Sequence, residues 1–151
     1  MPIIRLAAEK DITRILELYK ELVITTSQVE LCGDPSTDGY LQVFAQIHTM
    51  PGQELLVIEE GGNVVGVMVL LIVPNLSHGG LPWAFVDNLI IDHRHRRRGL
   101  GRLLMDKAVA RAKEAGCYKI VLTCDKRLEG EHKFYRSLGF EASAHGFRLY
   151  F

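Results

Sequence analysis

Asp92-His93-Arg94-His95-Arg96-Arg97-Arg98-Gly99-Leu100-Gly101-Arg102 is the stretch on which the reading of this chain turns. It follows an apolar run, Ala84 to Ile91, that reads as a strand. It leads into a segment whose apolar residues Leu100, Leu103, Leu104, Ala108, Val109 and Ala112 recur at helical spacing. A strand that enters a helix through two glycines presents first-turn amides that lack intrahelical partners, at the positive end of the helix dipole. Glycine lets a ligand approach the backbone closely, so a pyrophosphate is the natural occupant. Five arginines between Arg94 and Arg102 add positive charge at the same place.

Outward from this turn the chain alternates strand and helix signals. Ile3 to Leu6 reads as a short strand, and Ile12, Ile15, Leu16, Tyr19, Leu22 and Val23 follow the spacing of a helix with one buried face. A second helix is expected at about Asp38 to His48. Leu55 to Glu59 and Val64 to Val73, joined by Gly61-Gly62-Asn63, read as a hairpin. Beyond the turn, Gly116 is placed to end the long helix, Tyr118 to Thr123 reads as a buried strand, and Glu129 to Leu138 as a short helix closed by Gly139. Phe140 to Phe151 is expected to supply one or two final strands. The order β-αα-βββ-α-β-α-β(β) predicts an α/β (α+β) fold, a mixed sheet with helices on both faces, in a single domain over residues 1–151. The ligand is expected at the strand-to-helix crossover, Ile91 to Gly101.

Composition narrows the function. The 151 residues are 48% hydrophobic and 24% charged, with 18 Lys+Arg against 18 Asp+Glu, which fits a domain with an adequate core and argues against a dedicated nucleic-acid binder. Electrostatic work must then be local. Cys32, Cys117 and Cys124 form no C-x-x-C pattern and are odd in number, so neither a disulfide framework nor a metal site is expected. No leader pattern or membrane-length apolar run is read, which leads to the expectation of a cytoplasmic protein with no membrane partner.

Three phosphate-turn patterns can be compared. A P-loop requires Lys followed by Ser or Thr after its second glycine, and neither occurs here. A dinucleotide fingerprint requires a third glycine where the chain has Leu104. Arg96-x-x-Gly99-x-Gly101 resembles the R/Q-x-x-G-x-G/A signature of the GCN5-related N-acetyltransferase (GNAT) family. A second segment, Phe134-Tyr135-Arg136-Ser137-Leu138-Gly139-Phe140, is similar to that family's F-Y-x-x-x-G-F, and the element order agrees over essentially the whole chain.

The resemblance implies acetyl-CoA as cosubstrate and no metal. It places the pyrophosphate on the amides of Arg97, Arg98, Gly99, Leu100, Gly101 and Arg102, after Arg96, and pairs the pantetheine arm with Leu89, Ile90 and Ile91 in the manner of an added strand. Acetyl transfer to an amine needs a neutral nucleophile and a proton for the departing thiolate. By resemblance Asp87 is the base, directly or through water, and Tyr135 the general acid that also touches the cofactor. The alternative for Asp87 and Asn88 is that they orient substrate or mark a bulge in the strand. Glu131 and Leu128 stand where many members carry an asparagine that holds the pantetheine. Cys124 is read as a strand cysteine rather than an acyl-carrying nucleophile.

The acceptor implied is a primary amine of a small molecule. Gly116 to Cys124 with Phe134 to Phe140 is similar to glucosamine-6-phosphate N-acetyltransferases. His132-Lys133-Phe134-Tyr135 and Phe147-Arg148-Leu149 are similar to aminoalkylphosphonate acetyltransferases. Asp87, Asn88 and Arg148 are the candidate acceptor contacts, with Lys126, Arg127 and His78 as further cations. Phe147, Leu149, Tyr150 and Phe151 suggest a homodimer through the C-terminal segment. A non-catalytic acyl-CoA sensor is the reading from a different class.

Overall fold

The structure is a computed structural model that describes residues 1–22 and 38–151. The expected end of the first helix at Val23, Cys32 and the turn Gly33 to Ser36 lie outside the described residues. Five strands, β1 (Ile3–Leu6), β2 (Gln53–Glu60), β3 (Asn63–Val73), β4 (Trp83–Ile91) and β5 (Ile120–Leu122), form one sheet in chain order. Helices α1 (Ile12–Tyr19) and α2 (Asp38–Thr49) precede β2, α3 (Leu100–Glu114) joins β4 to β5, and α4 (Glu129–Ser137) follows. Pairing is antiparallel from β1 to β4 and parallel between β4 and β5, as a helical crossover requires.

Both faces of the sheet are covered. On one, Leu56, Ile58, Val65, Met68, Leu70, Ala84 and Val86 pack against Leu100, Leu104, Met105, Ala108 and Ala112 of α3, with Phe134, Tyr135, Leu138 and Phe140 closing the edge. On the other, Leu55, Val57, Val64, Val67 and Ile90 meet Ile15 and Leu18 of α1, with Phe44 and Ile47 of α2 beside them. Alternating residues of β2 divide cleanly between the two cores, which is the period-2 pattern of a strand buried on both faces.

Three expectations need correction. Leu103 is 42% exposed, and Met105, at 1%, takes its place in the core. At 100° per residue the inward residues of α3 span roughly 140° from Leu100, which leaves Leu103 on the far side of the helix. β5 is three residues long and half-buried rather than a buried strand from Tyr118 to Thr123. No strand forms over residues 140–151. Phe147, Leu149 and Phe151 alternate as a strand would, but they are 94%, 82% and 99% exposed, and a strand without a paired edge has nowhere to place its backbone hydrogen bonds.

Gly66, on β3, leaves no room for a side chain between β2 and β4. A Cβ there would lie 2.6 Å from Ile91 Cδ1, 2.8 Å from Ile58 Cγ2 and 3.1 Å from the Ile90 carbonyl oxygen. Gly66→Ala is therefore expected to cost about 1–3 kcal/mol through overpacking. Thermal unfolding should show a Tm lower by several degrees; an unchanged Tm would mean that the strands yield freely at this point.

Candidate active site

β4 carries the site because it changes character half-way along. Its pairing with β3 slips between Val67↔Ile90 and Val69↔Asp87, so Asn88 and Leu89 together oppose Met68, and Asn88 sits in the left-handed region at φ 52°. This is a β-bulge. The extra residue reverses the side-chain parity of the strand. Val86 faces the core under α3, whereas Ile90, four residues on, faces the core under α1. Asp87, paired with Val69 before the bulge, lies on the α1 side by ordinary alternation, and the bulge turns Leu89 and Ile91 to the α3 side.

The bulge coincides with the end of the β4–β5 ladder. That ladder runs only through Ala84↔Ile120, Phe85↔Val121 and Val86↔Leu122, so over residues 87–91 the described ladder partner of β4 is β3 alone. The Asp92 N–H donates to the Val65 carbonyl on β3 at 2.8 Å, so the trans peptide before it turns the Ile91 carbonyl to the opposite edge. There the Arg96 Nε donates to it at 3.0 Å. By the alternation of an antiparallel ladder, the Leu89 carbonyl and the Ile91 N–H face the same open edge. This edge offers one acceptor and one donor at strand spacing, which is what an amide-bearing arm requires.

At the end of this edge lies the turn into α3. Arg97 is left-handed at φ 61°, and Gly99, which caps α3, at φ 79°. Two left-handed residues flanking Arg98 bend the backbone into a concave turn next to the free amides of the helix. Gly101 serves a different purpose: a Cβ there would lie 3.3 Å from the Phe134 ring, a tight contact, and 3.8 Å from Ile91 Cγ1. The first glycine of the motif serves the turn, and the second lets α3 sit against α4.

The arginines of the turn divide into two groups. Arg94 pairs with Asp92, Arg96 with Glu21 and Arg98 with Glu60. Among the described residues no ion pair involves Arg97 or Arg102, whose nearest recorded partner is the Ser137 carbonyl at 3.5 Å from Arg102 Nη2. Local positive charge for an anion therefore falls mainly on these two, since Arg94, Arg96 and Arg98 already have carboxylates beside them.

Tyr135 is held by the motif that contains it. Gly139, at φ 94°, reverses the chain after α4, and the Phe140 N–H returns to the Tyr135 carbonyl at 3.2 Å. Phe134 and Phe140 meet the Tyr135 ring edge-on, with centroids 5.1 and 6.1 Å away. Burial, with the carboxylates of Glu131 and Asp87 adding to it, holds the Tyr135 phenol well above its ordinary pKa, so it keeps its proton throughout the neutral range.

A second phenol was not singled out in the sequence. Tyr19, on α1, is pushed up to about 12 by burial and by the Asp87 carboxylate, against a hydrogen bond with the Asn88 side chain. Its helical spacing had marked it only as part of a buried face. Asp87 is exposed, and its Oδ1 accepts the Asn88 backbone N–H at 2.9 Å, leaving Oδ2 unengaged by that bond. The Asp87-Asn88 pair does mark a bulge, and the Asp87 carboxylate acts on both tyrosines.

Arg148 donates to Tyr150 Oη at 3.0 Å and lies 3.8 Å from Asp125, just beyond β5. Arg127 pairs with the same aspartate, holding its carboxyl well below the usual range. His78 stacks on Tyr118 with centroids 3.9 Å apart. A cavity of about 640 Å³ lies elsewhere, between α2, the start of β2 and the end of α3, where Arg111 is engaged by Glu54 and Glu114. No helix among the described residues is long and apolar enough to cross a membrane.

The model of the acetyltransferase (GNAT) family matches residues 8–140, a span that takes in the bulge, the concave turn and the Phe134 to Phe140 motif. The chain belongs to the GNAT family of N-acetyltransferases. It is 26% identical over 137 residues to the "Probable glucosamine 6-phosphate N-acetyltransferase 2" of Oryza sativa subsp. japonica, covering 87% of this chain and 81% of that one. It is equally 26% identical, over 141 residues, to the "L-amino acid N-acyltransferase MnaT" of Escherichia coli (strain K12), covering 93% and 80%. A solved structure described as a transcriptional regulator from Bacillus halodurans C-125 is 30% identical, covers all of both chains and superposes with a TM-score of 0.91. Among the family's features, the open edge and concave turn found here fit a CoA thioester, whose arm carries amides and whose nucleotide end carries a pyrophosphate.

Cys124 adjoins this GNAT cleft but is suppressed as a nucleophile. Burial, followed by its hydrogen bond to Glu131 Oε2 at 3.4 Å, pushes the thiol up to about 12. A raised pKa means less thiolate at any pH below it, and the thiolate is the reactive form. Alkylation at pH 8, followed residue by residue by mass spectrometry, should be orders of magnitude slower at Cys124 than at a free cysteine thiol. Glu131→Gln should speed it. Rapid labelling in the native protein would contradict the assigned environment.

Proposed function

We propose that this chain transfers an acetyl group from acetyl-CoA to the primary amine of a small molecule within a ternary complex. The observation that carries this reading is the open edge of β4, with the concave turn at one end and Asp87 and Tyr135 at the other. When bound, acetyl-CoA supplies an activated acyl thioester. The chain's own residues handle protons and position. An alkyl ammonium with pKa about 10.4 must lose a proton at a cost of roughly 4–5 kcal/mol at pH 7. Asp87 Oδ2 is the acceptor for that proton, directly or through water, because Oδ1 is held by the Asn88 amide.

Tyr135 supplies the opposite need. A CoA thiol resembles cysteine, with pKa about 8.5, so the phenol is the weaker acid of the two and is protonated when the sulfur departs. Its high pKa makes it a hydrogen-bond donor that stabilises the sulfur as charge builds. Full proton transfer from Tyr135 would run uphill. Tyr135→Phe should therefore lower kcat by roughly 10- to 100-fold while leaving CoA affinity within about twofold. Retention of near-normal kcat across the pH range would remove Tyr135 from the chemistry.

For the acceptor, an amino-sugar phosphate is supported by the kinship with the rice protein and an L-amino acid by the equal identity to MnaT, while an aminoalkylphosphonate or other small amine is the alternative that the His132 to Tyr135 and Phe147 to Leu149 segments suggest. Arg148, beside the end of β5, is the cation assigned to an acceptor anion. A chain used as a sensor, a reading favoured by the description of the Bacillus halodurans neighbour, would bind CoA without turnover. Thiol release from acetyl-CoA, measured with glucosamine 6-phosphate, amino acids, aminoalkylphosphonates and polyamines alongside CoA binding, separates these cases. Turnover with one class fixes the acceptor, and tight binding with no turnover on any of them favours the sensor.

Phe147, Leu149 and Phe151 also support a homodimer in which the C-terminal segments of two copies pair, giving their alternating apolar face a partner. Sedimentation should give a dimer mass, and Phe147→Ser with Leu149→Ser should give a monomer. A wild-type chain that sediments as a monomer at high concentration would rule this assembly out.

A further inference from the structure

Two carboxylates behind the phosphate turn take no part in the chemistry above, yet they organise it. Asp92 is 1% exposed. Its Oδ1 accepts the Arg94 backbone N–H at 2.9 Å and Arg94 Nε at 3.3 Å. Its Oδ2 accepts Arg94 Nη2 at 3.2 Å and Arg14 Nη2 of α1. The Asp92 carbonyl accepts the His95 N–H at 2.8 Å, and Arg14 Nε donates to the Val64 carbonyl on β3 at 2.9 Å. Glu21, two residues beyond α1, makes the companion set. It accepts the His93 backbone N–H at 3.0 Å, lies 2.8 Å from His93 Nδ1, and pairs with Arg96 Nη2 at 3.3 Å.

Between them these carboxylates tie down, directly or through one further bond, every residue from Ile91 to Arg96. The next residue, Arg97, is non-glycine and left-handed, a conformation that costs about 1–2 kcal/mol and persists only where the surroundings impose it. Arg94 and Arg96 consequently act as straps whose charge is spent on Asp92 and Glu21. We propose that Asp92 and Glu21 are positioning residues for the cofactor's pyrophosphate: by clamping residues 91–96 to α1 and β3 they fix the concave turn at 97–99 in its anion-binding shape. The inference rests on the acetyl-CoA reading above, and it confines the action of both residues to the nucleotide end of the cofactor.

The test compares two acyl donors that share a thioester and differ at that end. Acetyl-CoA carries the pyrophosphate, and S-acetylpantetheine lacks it. Glu21→Gln should raise the Kd for CoA, measured by calorimetry, and the KM for acetyl-CoA roughly tenfold, equivalent to about 1.4 kcal/mol. Its kcat, and its kcat/KM with S-acetylpantetheine, should stay within about twofold of wild type. Asp92→Asn should show the same pattern more strongly if it folds; if it does not, Glu21→Gln alone decides. Equal losses with both donors would indicate a general structural defect and overturn the proposal, as would a Glu21→Gln chain that binds CoA like wild type. A wild-type chain that binds no CoA at all would instead sink the acetyl-CoA reading.

Discussion

A single inserted residue in a strand governs the geometry of this molecule. β4, like β2 and β3, feeds both cores, but the bulge at Asn88 makes it present Val86 to one and Ile90, four residues on, to the other. Without the insertion, Asp87 would keep its side, but Leu89 and Ile91 would exchange faces with Ile90, and an isoleucine that now closes the α1 core would be turned to the α3 side. The same irregularity follows directly on the end of the β4–β5 ladder at Val86, so the strand offers unpaired backbone where a regular sheet would offer none. An edge of this kind inside a domain is a liability for aggregation unless a ligand or a neighbouring element covers it. In a GNAT chain the amide-bearing arm of the cofactor is suited to that task.

Around this edge the family's two motifs are one packed unit. Gly101 belongs to the first motif and Phe134 to the second, and the two touch so closely that even a methyl group between them would press on the ring. The Phe134 ring in turn buttresses Tyr135, and Gly139 folds Phe140 back to close the other side. The glycine turn into α3 and the Tyr135 phenol are thus linked through van der Waals contact. This is a stiffer arrangement than hydrogen bonds through flexible side chains would give.

The charge distribution follows the same economy. Net charge is zero, and much of the basic run is neutralised locally by Asp92, Glu21 and Glu60. A run that looks in the sequence like a uniform anion trap becomes a framework of straps around a small number of uncommitted guanidinium groups. The arginines of these pairs are about half exposed or more, at 68%, 47% and 50% for Arg94, Arg96 and Arg98, so the pairs add little net stability; only Asp92, at 1%, is fully buried and needs its partners to offset desolvation.

The sequence by itself determined the order of strands and helices as far as α4, the place of the glycine turn into α3, and the membership of Tyr135 in a motif with Gly139 and Phe140. These are local properties. Periodicity of apolar residues and glycine placement depend on neighbours a few positions away, so they are readable without the fold. What only the tertiary structure decided were relations between distant segments: that Tyr19 of α1 reaches the Asp87-Asn88 bulge, that Arg96 turns to Glu21 and the Ile91 carbonyl, that Met105 rather than Leu103 enters the core, and that among the described residues the alternating C-terminal residues pair with no strand. Each depends on which surface is brought opposite, and a linear pattern carries no record of that. The bulge lies between the two cases. Asp87-Asn88 hinted at it in the sequence, but the parity it reverses has physical meaning only once helices cover both faces of the sheet.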